Sequence, residues 1–170
     1  MKNKFIKECV WIIVILIVSI LTGTVLMIAS YALPTEPMKM HARETISMMA
    51  DEGDDYKWIL KDFTSMAANF TDSLMINTAV YDGKESLLEK ALLNPRTNYA
   101  EGTQTRKLIN ALQDVPGGDA FTYGRYWHGY LVILKPLLFI FNYYQIRWLN
   151  TIIGCSLISI IMIGFYKKFG

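Results

Sequence analysis

Charge is scarce in this 170-residue chain. Only 19% of residues are charged, and 17 Lys and Arg against 15 Asp and Glu leave a formal net charge of +2. With no basic stripe and no recognition motif, nucleic-acid binding is excluded. Cysteine is almost absent as well: Cys9 and Cys155 stand near opposite ends of the chain, each inside an apolar stretch. Cys9 sits at the start of its stretch and Cys155 several residues into the other from the opposite face. At about 1.5 Å per helical residue the two lie at different depths, so no disulfide is expected. No cysteine or histidine spacing fits a metal site, and His41 and His128 are far apart in sequence. A nucleophile elbow, a Walker loop and a dinucleotide-binding glycine pattern are all missing, which removes the common soluble enzyme classes. No internal repeat or low-complexity tract occurs.

Apolar residues are plentiful. They make up 52% of the chain, with a mean hydropathy of +0.24, and they gather at its two ends. No charge interrupts the 25 positions from Cys9 to Leu33 or the 19 from Trp148 to Tyr166. A bilayer crossing needs about 20 such residues. Lys2, Lys4 and Lys7 precede the first run, and Lys167 and Lys168 follow the second. The positive-inside rule then places both termini in the cytoplasm and the middle of the chain outside. A cleavable signal peptide is the competing reading, since Ser30-Tyr31-Ala32 has a small-x-small pattern. The apolar run, however, far exceeds a signal core of about 7–15 residues, and Pro34 follows the would-be cut.

The expected organisation is a cytoplasmic N-terminus at 1–8, a transmembrane helix at 9–33, an extracytoplasmic helical domain at 34–129, an interfacial helix and linker at 130–147, a second transmembrane helix at 148–166 and a cytoplasmic tail at 167–170. The fold class is mainly α and membrane-bound. In the outer domain, Met38, Ala42, Thr45 and Met49 recur at helical spacing between Pro34 and Ala50, with the acidic run Asp51 to Asp55 ending that helix. Tyr56 to Ala68 predicts a second helix with Trp58, Ile59, Phe63 and Met66 on one side. Leu74 to Tyr81 fits strand or helix, and Asp82-Gly83 is a turn. Glu85 to Leu93, stopped before Pro95, and Thr103 to Leu112 are further helices, and 114–119 is a loop. Asn69-Phe70-Thr71 matches the N-glycosylation pattern, which arises often by chance.

Tyr130 to Phe141 is too short to span and contains Lys135-Pro136. Three readings stand: a helix along the membrane interface with Lys135 reaching past its apolar stem to phosphate, part of a kinked hairpin continuing into the second span, or core of the outer domain. Arg147 and Trp148 then mark the return to the bilayer, either as an interfacial anchor or, for Arg147, as a fork for a lipid phosphate.

Carboxylates carry what chemistry the sequence offers. Glu36 follows the first span closely, where it can bind a divalent cation or act as a base on a lipid-phosphate substrate. Asp72 lies between Thr71 and Ser73, as either a helix N-cap or a second acidic candidate. The run Asp51 to Asp55 reads as a solvated helix end.

Thr35-Glu36-Pro37, His41-Ala42-Arg43-Glu44, Tyr126-Trp127-His128-Gly129-Tyr130-Leu131 and Arg147-Trp148-Leu149-Asn150 occur in an order that resembles the N-terminal part of polyprenol-dependent membrane glycosyltransferases of the GT-C class. In that class a first span leads into a large outer loop that opens on an Asp-Glu pair and a Tyr-Ala-x-x-Ala-Arg helix. A His-Pro-Pro-Leu interfacial helix and an Arg-Leu-Pro/Asn motif follow. The likeness covers most of the layout but few letters. Thr35 stands where the acidic residue would be, Gly129 replaces the first proline, and the class has many more than two spans. The resemblance implies transfer of a sugar from a polyprenyl-phosphate donor at the outer face, with this chain as an N-terminal module or a shortened relative. Glu36 or Asp72 would be the catalytic carboxylate, and His128, Lys135 and Arg147 would be the lipid-phosphate contacts. Membrane lipid is the expected partner and no resident metal is assigned, although a divalent cation is compatible. The alternative is a non-enzymatic two-span protein whose outer domain binds a protein partner.

Overall fold

The first apolar run forms a single helix, α1 (Lys2–Tyr31), in the computed structural model, which describes residues 2–57, 66–124 and 128–169. Its apolar side chains from Val10 to Leu26 are exposed, and only its C-terminal end, at Met27, Ser30 and Tyr31, is buried against the rest of the chain. The second run forms α8 (Tyr143–Phe169), exposed along nearly its whole length, with only Tyr143 and Ile146 buried. Both helices are long and apolar enough to cross a membrane. Cys9 and Cys155 are free thiols, one on each of them.

Between them lies a mostly helical unit made of α2 (Thr35–Glu44), α3 (Ile46–Glu52), α4 (Asn69–Ala79), α5 (Leu87–Leu93), α6 (Gln104–Leu112) and α7 (Leu131–Ile140). The stripe expected between Pro34 and Ala50 is the core face: Met38, Ala42, Thr45 and Met49 are all buried. The helix carrying it breaks in two at Thr45, whose backbone leaves helical geometry at φ −107°, ψ 1°. The Thr45 hydroxyl donates back to the Ala42 carbonyl at 3.1 Å, a side-chain bond that competes with the helical ladder. Gly53 closes α3 at φ 70°, a left-handed conformation that favours glycine.

The helix expected over Tyr56 to Ala68 is not formed at its ends. Asp55–Lys57 (β1) and Met66–Ala68 (β2) pair antiparallel, with Tyr56 opposite Ala67. Trp58, Ile59 and Phe63 lie outside the described residues. A second antiparallel pair, Arg96–Asn98 (β3) with Asp119–Phe121 (β4), brackets α6. The ambiguous stretch from Leu74 is helical, as part of α4, and its Asn77 side chain exchanges two bonds with the Thr97 backbone of β3 at 2.8 and 3.2 Å.

Local signals end the shorter helices where the sequence places them. Ser86 and Glu89 form a reciprocal capping box at the start of α5. Asn94 closes that helix in a left-handed conformation just before Pro95. The Thr103 hydroxyl caps α6. A second cap on α6 comes from far away in sequence: Asp54 accepts the backbone N–H groups of Gln104 at 3.0 Å and Thr105 at 2.9 Å. Burial works to raise the Asp54 carboxyl, but the bonds from Thr105, Gln104 and Thr103 outweigh it and hold the group below the ordinary carboxylate range. A carboxyl held low in the folded chain stabilises it above the ordinary value of 3.8, and the contribution is lost as pH falls through the folded value. Asp54→Ala is therefore expected to lower stability by about 1–2 kcal/mol at neutral pH. Thermal unfolding in detergent should show that deficit shrinking below about pH 4.

Helix α7 shows two characters at once. Leu131, Leu134, Lys135 and Leu138 are buried against α1, α2 and α4, while Ile133 and Ile140 point outward at 66% and 62% exposure. One face is thus core of the helical unit, and the other is uncovered among the described residues.

Candidate functional site

Arg147 is the centre of the most connected polar cluster. Helix α8 begins at Tyr143, so Arg147 sits in its second turn rather than at its first residue. Asn142 and Gln145 fix that start by reciprocal bonds, each side chain accepting the other's backbone N–H at 3.0 Å. The Asn142 amide also donates to Glu44 on α2 at 3.0 Å. From this footing the guanidinium reaches three side chains. One amino group donates to Glu52 at the end of α3, at 2.8 Å. The other donates to Asp72 at 3.3 Å and to the Asn69 carbonyl oxygen, both in the first turn of α4. The fork also lies over the Tyr143 ring, 5.0 Å from its centre. Asn69 completes the network by donating to Glu52 at 2.9 Å and to the Gly53 carbonyl at 2.7 Å.

This geometry revises two readings. Two carboxylates against one guanidinium leave the cluster one negative charge in excess, and both terminal amino groups of Arg147 already donate to them. Such a fork is a clamp between α8, α3 and α4, and a poor receptor for a lipid phosphate. Asn69 is completely buried, so the Asn69-Phe70-Thr71 sequon is closed in the folded chain. Asp72 is inside the first turn of α4 and is not its N-cap.

Lys135 is also placed differently from the expectation. It does not reach outward to phosphate. It is 1% exposed, and its ammonium donates to the Ala79 carbonyl at the C-terminal end of α4, at 2.6 Å. The same group sits 4.6 Å from the centre of the Tyr31 ring. Favourable helix-end electrostatics and the ring face replace the lost water. Burial, reinforced by Lys90 and opposed by Asp82, pushes the ammonium down to about 8.

Glu36 stands apart from this cluster. Its side chain is 72% exposed and pairs with Lys39 at 3.5 Å, in a group where Lys39 also meets Asp82 at 3.5 Å and Asp114 at 3.8 Å. Arg43 adds a bond to the Leu112 carbonyl at 2.6 Å and a pair with Asp114 at 3.3 Å. These contacts tie α2 to the turn after α4 and to the end of α6. Glu36 and Asp72 belong to different clusters.

His128 lies against two hollows. Its Nε2 is 3.0 Å from the Tyr123 carbonyl, and its Nδ1 is buried with no bonding partner among the described residues. Tyr126 and Trp127, the rest of the expected aromatic-histidine cluster, lie outside the described residues. A cavity of about 270 Å³ runs from His128 and Tyr130 to Phe70, Thr71, Thr78 and Arg96. Burial raises the Tyr130 hydroxyl above its ordinary value, against the opposing effects of Thr78 and Arg96, so it remains a phenol donor at neutral pH. A larger groove of about 630 Å³ is lined by α1, the C-terminal end of α5 and the start of α7. Among the described residues no three His, Cys, Asp or Glu side chains converge in a way that could hold a metal ion.

The structure thus joins Asp72 to Arg147 and puts His128 across a cavity from Thr71, the neighbour of Asp72. It leaves Glu36 and Lys135 elsewhere. Glu52, Asn69 and Arg96 were missed in the sequence. For Arg147 and Glu52 no local signal exists, because the pair closes over 95 residues. The reciprocal Asn142 and Gln145 cap, which starts α8 five residues before the expected Trp148, is a local signal that could have placed Arg147 inside the helix. No protein-family model matches the chain, and neither a curated protein nor a solved structure matches it.

Proposed function

We propose that the chain is a membrane-anchored module that resembles the N-terminal part of a GT-C-type glycosyltransferase, with its helical unit at the outer face and both termini in the cytoplasm. Lysines flanking both apolar helices support that orientation. In this reading the cavity bounded by His128, Tyr130, Thr71 and Arg96 receives the phosphate end of a polyprenyl-phosphate sugar donor. Asp72, bound to Arg147, is next in sequence to Thr71 of that cavity but does not line it, so it has no assigned role on the donor. The observation that carries the proposal is the buried Nδ1 of His128, which has no bonding partner among the described residues and lies beside a cavity also lined by Arg96 and Tyr130. A histidine, an arginine and hydroxyl donors are the groups that bind a phosphate monoester or diester.

The alternative, a non-enzymatic two-span protein whose outer unit binds a protein partner, is favoured by the structural use of Arg147. Native mass spectrometry of the detergent-solubilised protein separates the two readings. Undecaprenyl phosphate should be retained in preference to undecaprenol, and His128→Ala should abolish the preference while leaving thermal unfolding unchanged. Equal retention of alcohol and phosphate, or no retention of either, would discard the lipid-phosphate site.

A further inference from the structure

Helix α5 carries a dense set of apolar side chains that no described residue covers. Leu87, Leu88, Leu92 and Leu93 are 44%, 50%, 62% and 50% exposed, while Ala91 is buried. Four exposed leucines in a seven-residue helix are unusual on a water-facing surface, where large apolar patches mark an interaction site. The position of the helix indicates what covers them. Ala91 to Asn94 form one wall of the 630 Å³ groove, and Ser19 to Met27 of α1 form another. Those α1 residues precede Tyr31, the outer end of the apolar helix, by 4 to 12 positions, or about 6–18 Å along its axis. The Tyr31 hydroxyl donates to Asn94 at 3.3 Å and fixes the C-terminal end of α5 beside α1. Leu92 and Leu93 therefore stand alongside residues of the helix that lie below its outer end, and Leu87 and Leu88 extend the exposed surface of the same short helix.

The uncovered face is also continuous with other apolar surface. It meets the exposed side of α1, and on the far side of the groove α7 adds Val132 and Ile133. Helices α5 and α7 both pack against α1, so the apolar surface extends on either side of it. The capping box puts Ser86 and Glu89 at the start of α5, with Lys84 just before it, and all three are exposed. A surface of this shape, joined to a membrane-crossing helix at that depth, fits lipid acyl chains.

We propose that α5 is embedded in the lipid leaflet that α1 leaves at Tyr31, with an acyl chain occupying the groove between α1, α5 and α7. The proposal rests on α1 crossing the membrane. It makes α5 a second membrane-contacting element of the outer unit, alongside α7, and sets the unit close against the bilayer.

Site-directed spin labelling tests it. In the full chain with Cys9→Ser and Cys155→Ser, single labels are introduced by Leu92→Cys, Leu88→Cys, Ile15→Cys in α1 and Glu101→Cys in an exposed loop. The protein is reconstituted in vesicles of phosphatidylcholine and phosphatidylglycerol. Collision with oxygen reports lipid and collision with a water-soluble nickel chelate reports solvent. The labels at 88 and 92 should resemble Ile15→Cys, with an oxygen-to-nickel ratio several-fold above that of Glu101→Cys. High nickel access at 88 and 92 with low access at 15 would overturn the proposal and leave the crossing of α1 intact. High nickel access at 15 as well would overturn both. Low access to both reagents at 88 and 92 would show protein cover, by a second copy or another partner, and would also overturn it.

Discussion

Arg147→Met is expected to destabilise the protein by about 2–4 kcal/mol, because it leaves Glu52 and Asp72 half-buried beside each other with no cation between them. The size of the loss comes from the two stranded carboxylates more than from the missing bonds. Arg147→Lys should recover only part of it, since an ammonium cannot serve Glu52, Asp72 and Asn69 at once as the planar fork does. The decisive variant is the triple change Glu52→Gln, Asp72→Asn, Arg147→Met, which removes the cation and both anions together. Thermal unfolding in detergent should place the triple variant well above Arg147→Met. A triple variant as unstable as the single one would show that the cluster acts through packing, and an unaffected Arg147→Met would remove its structural role.

A second large effect is expected at Lys135, with different outcomes for two substitutions. Lys135→Ala removes a long buried side chain, opens space beneath Tyr31 and strips the Ala79 carbonyl of its donor. The expected cost is about 3 kcal/mol. Lys135→Met keeps the apolar length and removes the buried charge together with the donor to the Ala79 carbonyl, an exchange that is near neutral in comparable settings. The pH dependence distinguishes the charge from the packing. Burial lowers the ammonium from 10.5 to about 8, so between those values the unfolded chain binds the proton and the folded chain has released it. Stability arising from this group rises with pH across that window, by at most about 1.4 kcal/mol per pH unit. Lys135→Met should lack the rise. Tyr81, pushed up to about 12 by burial and by its bond to Glu85, acts in the opposite direction at the alkaline end. It is common to both proteins, so their difference isolates Lys135. A wild-type curve parallel to that of Lys135→Met from pH 8 to 10 would refute the depressed ammonium.

Much of the helical framework was legible from local chemistry. The stripe from Met38 to Met49 announced its buried face by spacing alone, and Ser86, Thr103 and Pro95 marked helix ends through groups that satisfy or remove backbone donors. Both long apolar helices follow from composition. The strands were hidden because each is three residues long, too short for a period-two pattern, and because β3 and β4 meet only after α6 has intervened. The direction of Lys135 was hidden for a different reason. A lysine in an apolar helix can extend toward water or inward to a carbonyl, and only the position of α4, 56 residues earlier, decides between them. Of the candidate site, Asp72, His128 and Arg147 stand out in the sequence as residue types, whereas Glu52 is hidden in an acidic run whose local pattern is that of a solvated helix end.

The clamp at Arg147 also orders events during synthesis. Glu52 is made 95 residues before the guanidinium that neutralises it, and Asn69 is made 78 residues before. At common elongation rates, about 5–20 residues per second, that is a wait of roughly 5–20 s. Until α8 is made, α3 and α4 must hold their acidic ends in water, with Asn69 accessible. Helix α8 is therefore the one that locks the first half of the helical unit, and closure waits on its arrival.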